Sequence, residues 1–308
     1  MSMSVPDSLF VPMNRSAVDA EAIVRPRLGF WKESWNRLLA NKLAFAGAVI
    51  IILLALLASF GPMLTDQSYS RQVLTDANMS PSAEHWFGTD DLGRDVFARI
   101  LYGARISLFI GLMATLIDVV IGIVYGGIAG YVGGRADNLM MRFVDMLYGV
   151  PYLLIVILLM VIMGPGLLTI IVALSATGWI GMARVVRGQV LTLKSSEYVL
   201  ASRSIGSSGW HIIRKHLLPN AMGVIMVQIT FSVPSAIFAE AFLSFLGLGI
   251  QPPLASWGVM ASDALGVILS GHWWRLFYPA FFISMTMLAF NLVGDGLQDI
   301  FNPRQRRS

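Results

Sequence analysis

The sequence predicts an all-α polytopic membrane protein with six transmembrane helices. Three observations carry this. Of the 308 residues, 56% are hydrophobic and only 13% charged, with a mean hydropathy of +0.69. Apolar runs long enough to cross a bilayer recur along the chain, and Lys and Arg fall unevenly between them. A soluble domain of this length carries more charge. The net charge of +4 comes from residues beside apolar runs rather than on one polar face, which argues against a nucleic-acid partner. With no Cys, disulfides, thiolate catalysis and Cys-ligated metals drop out together.

A hydrocarbon core of ~30 Å takes roughly 20 apolar helical residues, and each element follows from that length. Residues 1–42 read as a polar cytoplasmic segment without an apolar stretch and small-residue cleavage site, so the first apolar run is expected to insert the chain. Within it, Leu28 to Leu39, with Trp31 and Trp35, predicts an amphipathic helix at the interface. Residues 43–65 form the first span and 66–105 an external loop. Residues 106–297 make a core of five further spans: Ile106 to Gly134, Asn138 to Met163, Leu167 to Ala183, Ala221 to about Leu246, and Leu276 to Leu297. The third and fourth are separated by the break Gly164-Pro165-Gly166. A cytoplasmic loop, 184–219, joins the fourth to the fifth, Pro252-Pro253 and Gly266 to Gly271 mark an irregular external segment, and 298–308 is a cytoplasmic tail. In the second span Gly122, Gly126, Gly130 and Gly134 recur every four residues, a small-residue stripe for close helix approach.

Six spans put both termini on one side, and the charge census says which. The termini and the second and fourth loops hold 17 Lys and Arg; the opposite side holds 5, namely Arg71, Arg94, Arg99, Arg105 and Arg275. The positive-inside bias places both termini, and the 184–219 loop, in the cytoplasm.

Chemistry-bearing patterns are sparse. No Gly-x-x-x-x-Gly-Lys-Ser/Thr run cradles a nucleotide, so any ATP must be bound by another chain, and this one is expected to bind no cofactor. His85, His211, His216 and His272 lack metal-ligand spacing, and the five-residue separation of His211 from His216 does not place them on one helical face, so no metal site is expected. Gly206-Ser207-Ser208-Gly209 matches a rhomboid-type Gly-x-Ser-Gly, yet lies in a charged loop. Asp118 and Asp295 lack the Gly-x-Gly-Asp and Tyr-Asp contexts of intramembrane aspartyl proteases. No catalytic residue is assigned.

Charges inside spans are functional candidates by default. Asp118, mid-span, should face protein or a cavity, and Glu240, in the outer part of the fifth span, could line a path or stabilise an external gate. A proton-coupled carrier would use this pair as relays, but such carriers usually show internal repeats, and none is found. Asp295 ends the sixth span, where the helix dipole disfavours a carboxylate, so a structural role with Arg184, Arg187 or Arg203 as partner is expected.

The stretch from Glu197 to Asn220 is a polar, helix-prone element between two apolar runs. Ser196 can cap a helix beginning at Glu197, Gly206 permits a left-handed turn, Ser207 or Ser208 can cap a second short helix, and Pro219 starts the next span. The expected product is a helix-turn-helix held at both ends by membrane helices.

Ala201-Ser202-x-x-x-Gly206, followed twelve residues on by Leu218-Pro219, resembles the coupling signature of ABC importer permeases. The runs His85-Trp86-Phe87-Gly88-Thr89-Asp90-Asp91-Leu92-Gly93-Arg94-Asp95, Ser244-Phe245-Leu246-Gly247-Leu248-Gly249 and Asn291-Leu292-Val293-Gly294-Asp295-Gly296-Leu297 resemble the C-type permease of peptide ABC importers. Met182 to Gln189 and Phe242 to Gly249 look closer to oligopeptide than to dipeptide or nickel permeases. The chain departs from the signature at Leu200, where the family has Glu, and at His216, where it has Ile; Glu197, one turn earlier, can supply the charge.

The resemblance implies a type I ABC importer permease fold in the bacterial cytoplasmic membrane. Glu197, Ala201, Ser202, Gly206, His216, Leu218 and Pro219 would couple it to two ATP-binding subunits. A B-type permease would complete the path, an external substrate-binding protein would deliver an oligopeptide, and ATP would be hydrolysed outside this chain. Dipeptides, nickel or another small solute of the same family are the alternative cargo.

Overall fold

A computed structural model describes residues 38–301, and among them every regular element is helical. The predicted amphipathic helix lies outside these residues except for Leu38 and Leu39. Helix α1, Lys42–Phe60, opens at Asn41, whose side chain accepts from the amides of Leu43 and Ala44. The others are α2 Val96–Val132, α3 Gly134–Tyr148, α4 Tyr152–Met163, α5 Leu167–Leu193, α6 Glu197–Ser204, α7 Gly209–Ile212, α8 Leu218–Phe245, α9 Trp257–Ala264 and α10 Trp274–Phe301. Among the described residues five helical stretches are long and apolar enough to cross a membrane, and α3 with α4 makes a sixth when that bent pair is taken as one span.

That pair corrects the third span, expected as one helix from Asn138 to Met163. The axis bends by 80° across residues 149–151. A proline at 151 disfavours the α conformation at the residue before it, which is where α3 stops, and α3 is itself amphipathic, with Arg135, Asp137, Arg142 and Asp145 along 15 residues. Only the 12 residues of α4 are continuously apolar, about 18 Å of helix, too short to span alone.

Two other boundaries move. Helix α2 starts at Val96 rather than Ile106 because Asp95 caps it, accepting from the Ala98 amide at 2.7 Å. Helix α5 continues past Ala183 to Leu193, carrying Arg184 and Arg187 on its surface. There Arg187 holds the buried Asp137 of α3 through two bonds of 2.5 and 2.7 Å, and Arg184 meets Asp145 at 2.7 Å. These pairs pin the amphipathic α3 across α5. They also answer the expectation for Asp295: Arg184 and Arg187 are taken, Arg203 lies over the Tyr131 ring, and Asp295 is exposed without an ion pair among the described residues.

The tightest packing is α2 along α5. Three of the four striped glycines make it: a β-carbon at Gly122 would meet Met182, at Gly126 the Ala183 carbonyl, and at Gly130 Arg187 O and Val190. Gly134 does not take part, since it opens α3 with nothing within 4 Å. Helix α10 lies between α1 and α8.

At the end carrying residues 66–95, the segment before α2 is fastened by buried charge. Asp90 accepts the amides of Leu92 and Arg94 and both the Arg94 and Arg99 guanidiniums, the last two at 2.6 Å. Arg275, at the start of α10, donates to Asn78 and Asp91, and Trp274 Nε1 to Thr89 O. The segment between the last two spans, expected as irregular, holds α9: Ser256 caps it and Trp257 is wholly buried, its indole donating to Ile100 O.

Candidate coupling element and membrane cavity

The stretch Glu197 to Pro219 folds around Gly206. Helix α6 ends in a complete Schellman motif: Ser207 N donates to Ser202 O at 3.1 Å and Gly206 N to Arg203 O at 3.0 Å, with Gly206 at φ +82°. The Ser202 hydroxyl, buried, bonds Ser207 Oγ across the turn. Ser208 then caps α7, accepting from His211 N. Ser196 sits at the N-cap of α6 but makes no capping bond; its hydroxyl donates to Leu193 O instead. Replacing Ser208 by Ala should cost about 1 kcal/mol, so that the His211 amide exchanges with solvent roughly fivefold faster; an unchanged exchange rate would show the cap to be idle.

The element is anchored, not dangling. Val199 of α6 and Ile212, Ile213 and Leu217 beyond the turn bury into one cluster with Met182, Val186 and Val190 of α5 and Ala221 and Ile225 of α8. Lys194 donates to Gly130 O and Tyr131 O, carbonyls at the C-terminal end of α2 that have no partner further along the helix. Beyond α7 the chain runs through a π-helical segment, Ile213–Leu217, straight into α8, so residues 209–245 form one continuous rod. The π turn has a local cause. Pro219 lacks an N–H and its ring would press on the carbonyl four residues back; the wider turn relieves that contact, and Asn220 Nδ2 takes His216 O at 2.6 Å.

That turn corrects the reading of the two histidines. In a π-helix positions five apart stack, and the rings of His211 and His216 lie 6.0 Å apart, with Tyr198 6.2 Å from His216. Among the described residues no group of three metal-binding side chains forms. Glu197 and Ala201 are exposed, as is Leu200, and together with Tyr198, Ile205 and Trp210 the element presents an outer face of large apolar side chains set among the exposed Arg203, His211, Arg214 and Lys215. Leu200 therefore stands as part of that face in place of the charge the signature would supply. The Ser207 and Ser208 hydroxyls are occupied in the turn, and among the described residues neither is hydrogen-bonded to a histidine ring, so the Gly-x-Ser-Gly match serves the turn.

The two span carboxylates have separate surroundings. Asp118 is 8% exposed, and with Tyr152 of α4, Leu174, Thr177 and Gly178 of α5, and Gln228, Phe231, Ser232 and Ser235 of α8 it lines a cavity of about 400 Å³. Its Oδ1 has no hydrogen-bond partner, nor do the Tyr152 hydroxyl and Thr115 Oγ1. Glu240 is fully buried and accepts from Ser244 Oγ at 2.8 Å and Ser256 Oγ at 2.6 Å. It holds the Ser256 cap of α9 in place and does not line the Asp118 cavity. The pair is thus not assembled as a relay. The ion cluster of Asp90, Arg94, Arg99 and Arg275 was not singled out from sequence, although Asp90-Asp91-x-x-Arg94-Asp95 beside a span was its visible trace.

The comparisons agree with this geometry. The family model for the binding-protein-dependent transport system inner membrane component matches residues 122–307, and that for the N-terminal TM domain of oligopeptide transport permease C matches residues 29–81. The dipeptide transport system permease protein DppC of Bacillus subtilis is 63% identical over 98% of this chain and 95% of its own length. The oligopeptide permease OppC of the same organism is 53% identical over 99% of each, and OppC of Escherichia coli K12 41% over 90% and 92%. A chain of the MetNI methionine ABC transporter, in an inward-facing conformation, aligns with a TM-score of 0.54 at 20% identity, covering 66% of this chain and 96% of that one, which speaks to the fold alone. By model and by relatives, the chain belongs to the binding-protein-dependent transport system inner membrane components, in the permease C branch of the oligopeptide and dipeptide systems.

Proposed function

We propose that this chain is the C-type half of a peptide-importing ABC permease that turns a push on its Glu197–Leu217 element into a movement of the membrane cavity. One observation carries the reading: the rod from Gly209 to Phe245 joins the coupling turn directly to Gln228, Phe231, Ser232 and Ser235, which wall the cavity. From Leu217 to Gln228 is about 16 Å of helix, so a tilt at the turn is delivered to the cavity without an intervening joint. The exposed face of Tyr198, Leu200, Ile205 and Trp210 suits an apolar seat on an ATP-binding subunit, with Glu197 at its edge.

In this reading two separate ATP-binding subunits hold ATP and Mg, a B-type permease closes the other side of the path, and an external binding protein brings the peptide. The chain does no covalent chemistry and binds no cofactor itself. Both termini and the coupling turn face the cytoplasm, supported by the 17 to 5 split of basic residues. ATP shifts the permease outward only through a higher affinity for the closed ATPase dimer, since a ligand moves an equilibrium by its differential binding. The relatives' names include both dipeptide and oligopeptide systems, so cargo of two or more residues is proposed, with length chosen by the binding protein.

Purification through a tag on this chain should bring down a second permease and two ATP-binding subunits. Proteoliposomes holding that complex and its binding protein should take up dialanine only with ATP. Uptake driven by a proton gradient without ATP would instead establish a secondary carrier, and uptake of nickel but no peptide would reassign the cargo.

A further inference from the structure

We infer that the cavity at Asp118 is a subsite for the ammonium group of the peptide in transit; this rests on the peptide-importer reading above. Asp118 is more than nine-tenths buried, its Oδ1 has no partner, and no basic side chain of the described residues pairs with it. The basic residues of α2 and α5 are committed elsewhere: Arg99 to Asp90, Arg105 to the carbonyls of Ala58 and Ser59, Arg184 to Asp145, and Arg187 to Asp137. A carboxylate kept in a span without a counter-charge is costly, and such groups mark ligand pathways. An unpaired buried carboxylate at a cavity wall is the feature the site presents.

The site is built around that carboxylate. Gly178 of α5 makes room for it: a β-carbon there would meet Asp118 Oδ2 and lie 2.7 Å from its Cγ. The Tyr152 hydroxyl, also buried without a partner, lines the same space. The other walls supply hydroxyls and an amide, Thr177, Ser232, Ser235 and Gln228, which match peptide N–H and C=O groups, and one aromatic face, Phe231. A volume of about 400 Å³ falls in the range of small-ligand pockets. The ligand that these walls fit is an organic cation carrying amide groups. Because α8 forms one wall, the stroke of the coupling turn would open or release the same site.

The test uses the whole complex. Radiolabelled dialanine, bound to the permease–ATPase complex without its binding protein, should be displaced by unlabelled dialanine about tenfold better than by N-acetyl-dialanine, the margin of a charge-assisted bond. In Asp118→Asn that preference should vanish. In proteoliposomes the same variant should lose about tenfold in dialanine uptake while ATP hydrolysis stimulated by loaded binding protein stays within about twofold of wild type. Asp118→Glu should keep part of the preference, and Gly178→Ala, by displacing the carboxylate, should copy Asp118→Asn. If Asp118→Asn fails to assemble, Gly178→Ala carries the measurement. A preference that persists undiminished in Asp118→Asn, or in Gly178→Ala where Asp118→Asn does not assemble, overturns the subsite while leaving the importer standing; wild-type complex that takes up no peptide overturns the importer itself.

Discussion

Peptide uptake should vanish when Gly206 is replaced by valine, with the chain still inserted and the ATP-binding subunits still hydrolysing ATP. The reason is conformational rather than steric. Gly206 sits at φ +82° with nothing within 4 Å of the position a β-carbon would take, so no neighbour has to move. What a side chain meets is the left-handed backbone itself, at a cost of about 1–3 kcal/mol that is greatest for a β-branched residue. That cost falls on the Schellman bonds from Ser207 and Gly206 to Ser202 and Arg203, which set the angle between α6 and α7. Val199, Ile212 and Leu217 remain buried in the cluster below, so the element stays attached but its turn relaxes to another angle. A graded series separates this cause from crowding. Asn, which enters the left-handed region readily, should keep most uptake; Ala should lose part; Val should lose all. Uptake measured in proteoliposomes against binding-protein-stimulated ATP hydrolysis checks it, and equal activity across the three would remove Gly206 from the coupling path.

This turn was legible in the sequence because every part of it is local. Gly206 and Ser208 lie within a few residues of the groups they serve, and the left-handed turn and the second cap were expected where they occur. Five of the spans were legible as well, since length and apolarity suffice to mark them. What escaped is long-range or averaged away. A hydropathy window across Asn138 to Met163 blends a polar α3 with an apolar α4 and hides the bend at Pro151. Arg275 and Asp91 are 184 residues apart, and Arg187 and Asp137 are 50, so no spacing announces these pairs. Asp295 was expected to claim one of the arginines that in fact serve α3, because nothing in the sequence says that α3 lies across α5. Asp118 could be read as a buried charge, but its cavity required α2, α4, α5 and α8 to be set side by side.

The α2–α5 contact sets how much substitution the bundle tolerates, and Gly126→Ala tests it at one methyl group. In membranes helices are not driven together by the hydrophobic effect, so close backbone approach supplies the attraction and any added atom at the contact removes it over a whole turn. A β-carbon on Gly126 would collide with Ala183 O and come within 3.0 Å of Ala183 C and Cα, all backbone atoms that no rotamer change can move. Helix α5 must therefore shift, and it carries Gly178 on one side of the contact and Arg187 on the other. Overpacking of this kind costs about 1–3 kcal/mol where only side chains adjust, and backbone contact puts Gly126→Ala at or above the upper end. Gly181→Ala is the control on the same helix pair: nothing lies within 4 Å of it, and the gain in helix propensity, about 1 kcal/mol, should leave stability equal or higher. Thermal unfolding of the two variants of the purified chain in detergent should separate them by several degrees, Gly126→Ala below wild type and Gly181→Ala at or above it. The displacement should also be visible at a distance. Once α5 is pushed off α2, the Gly178 notch no longer fits the Asp118 carboxylate, so a Gly126→Ala complex that still assembles should show the weakened preference for a free ammonium expected of Gly178→Ala. Equal melting of the two alanine variants would mean that the glycine stripe is not what holds α2 against α5.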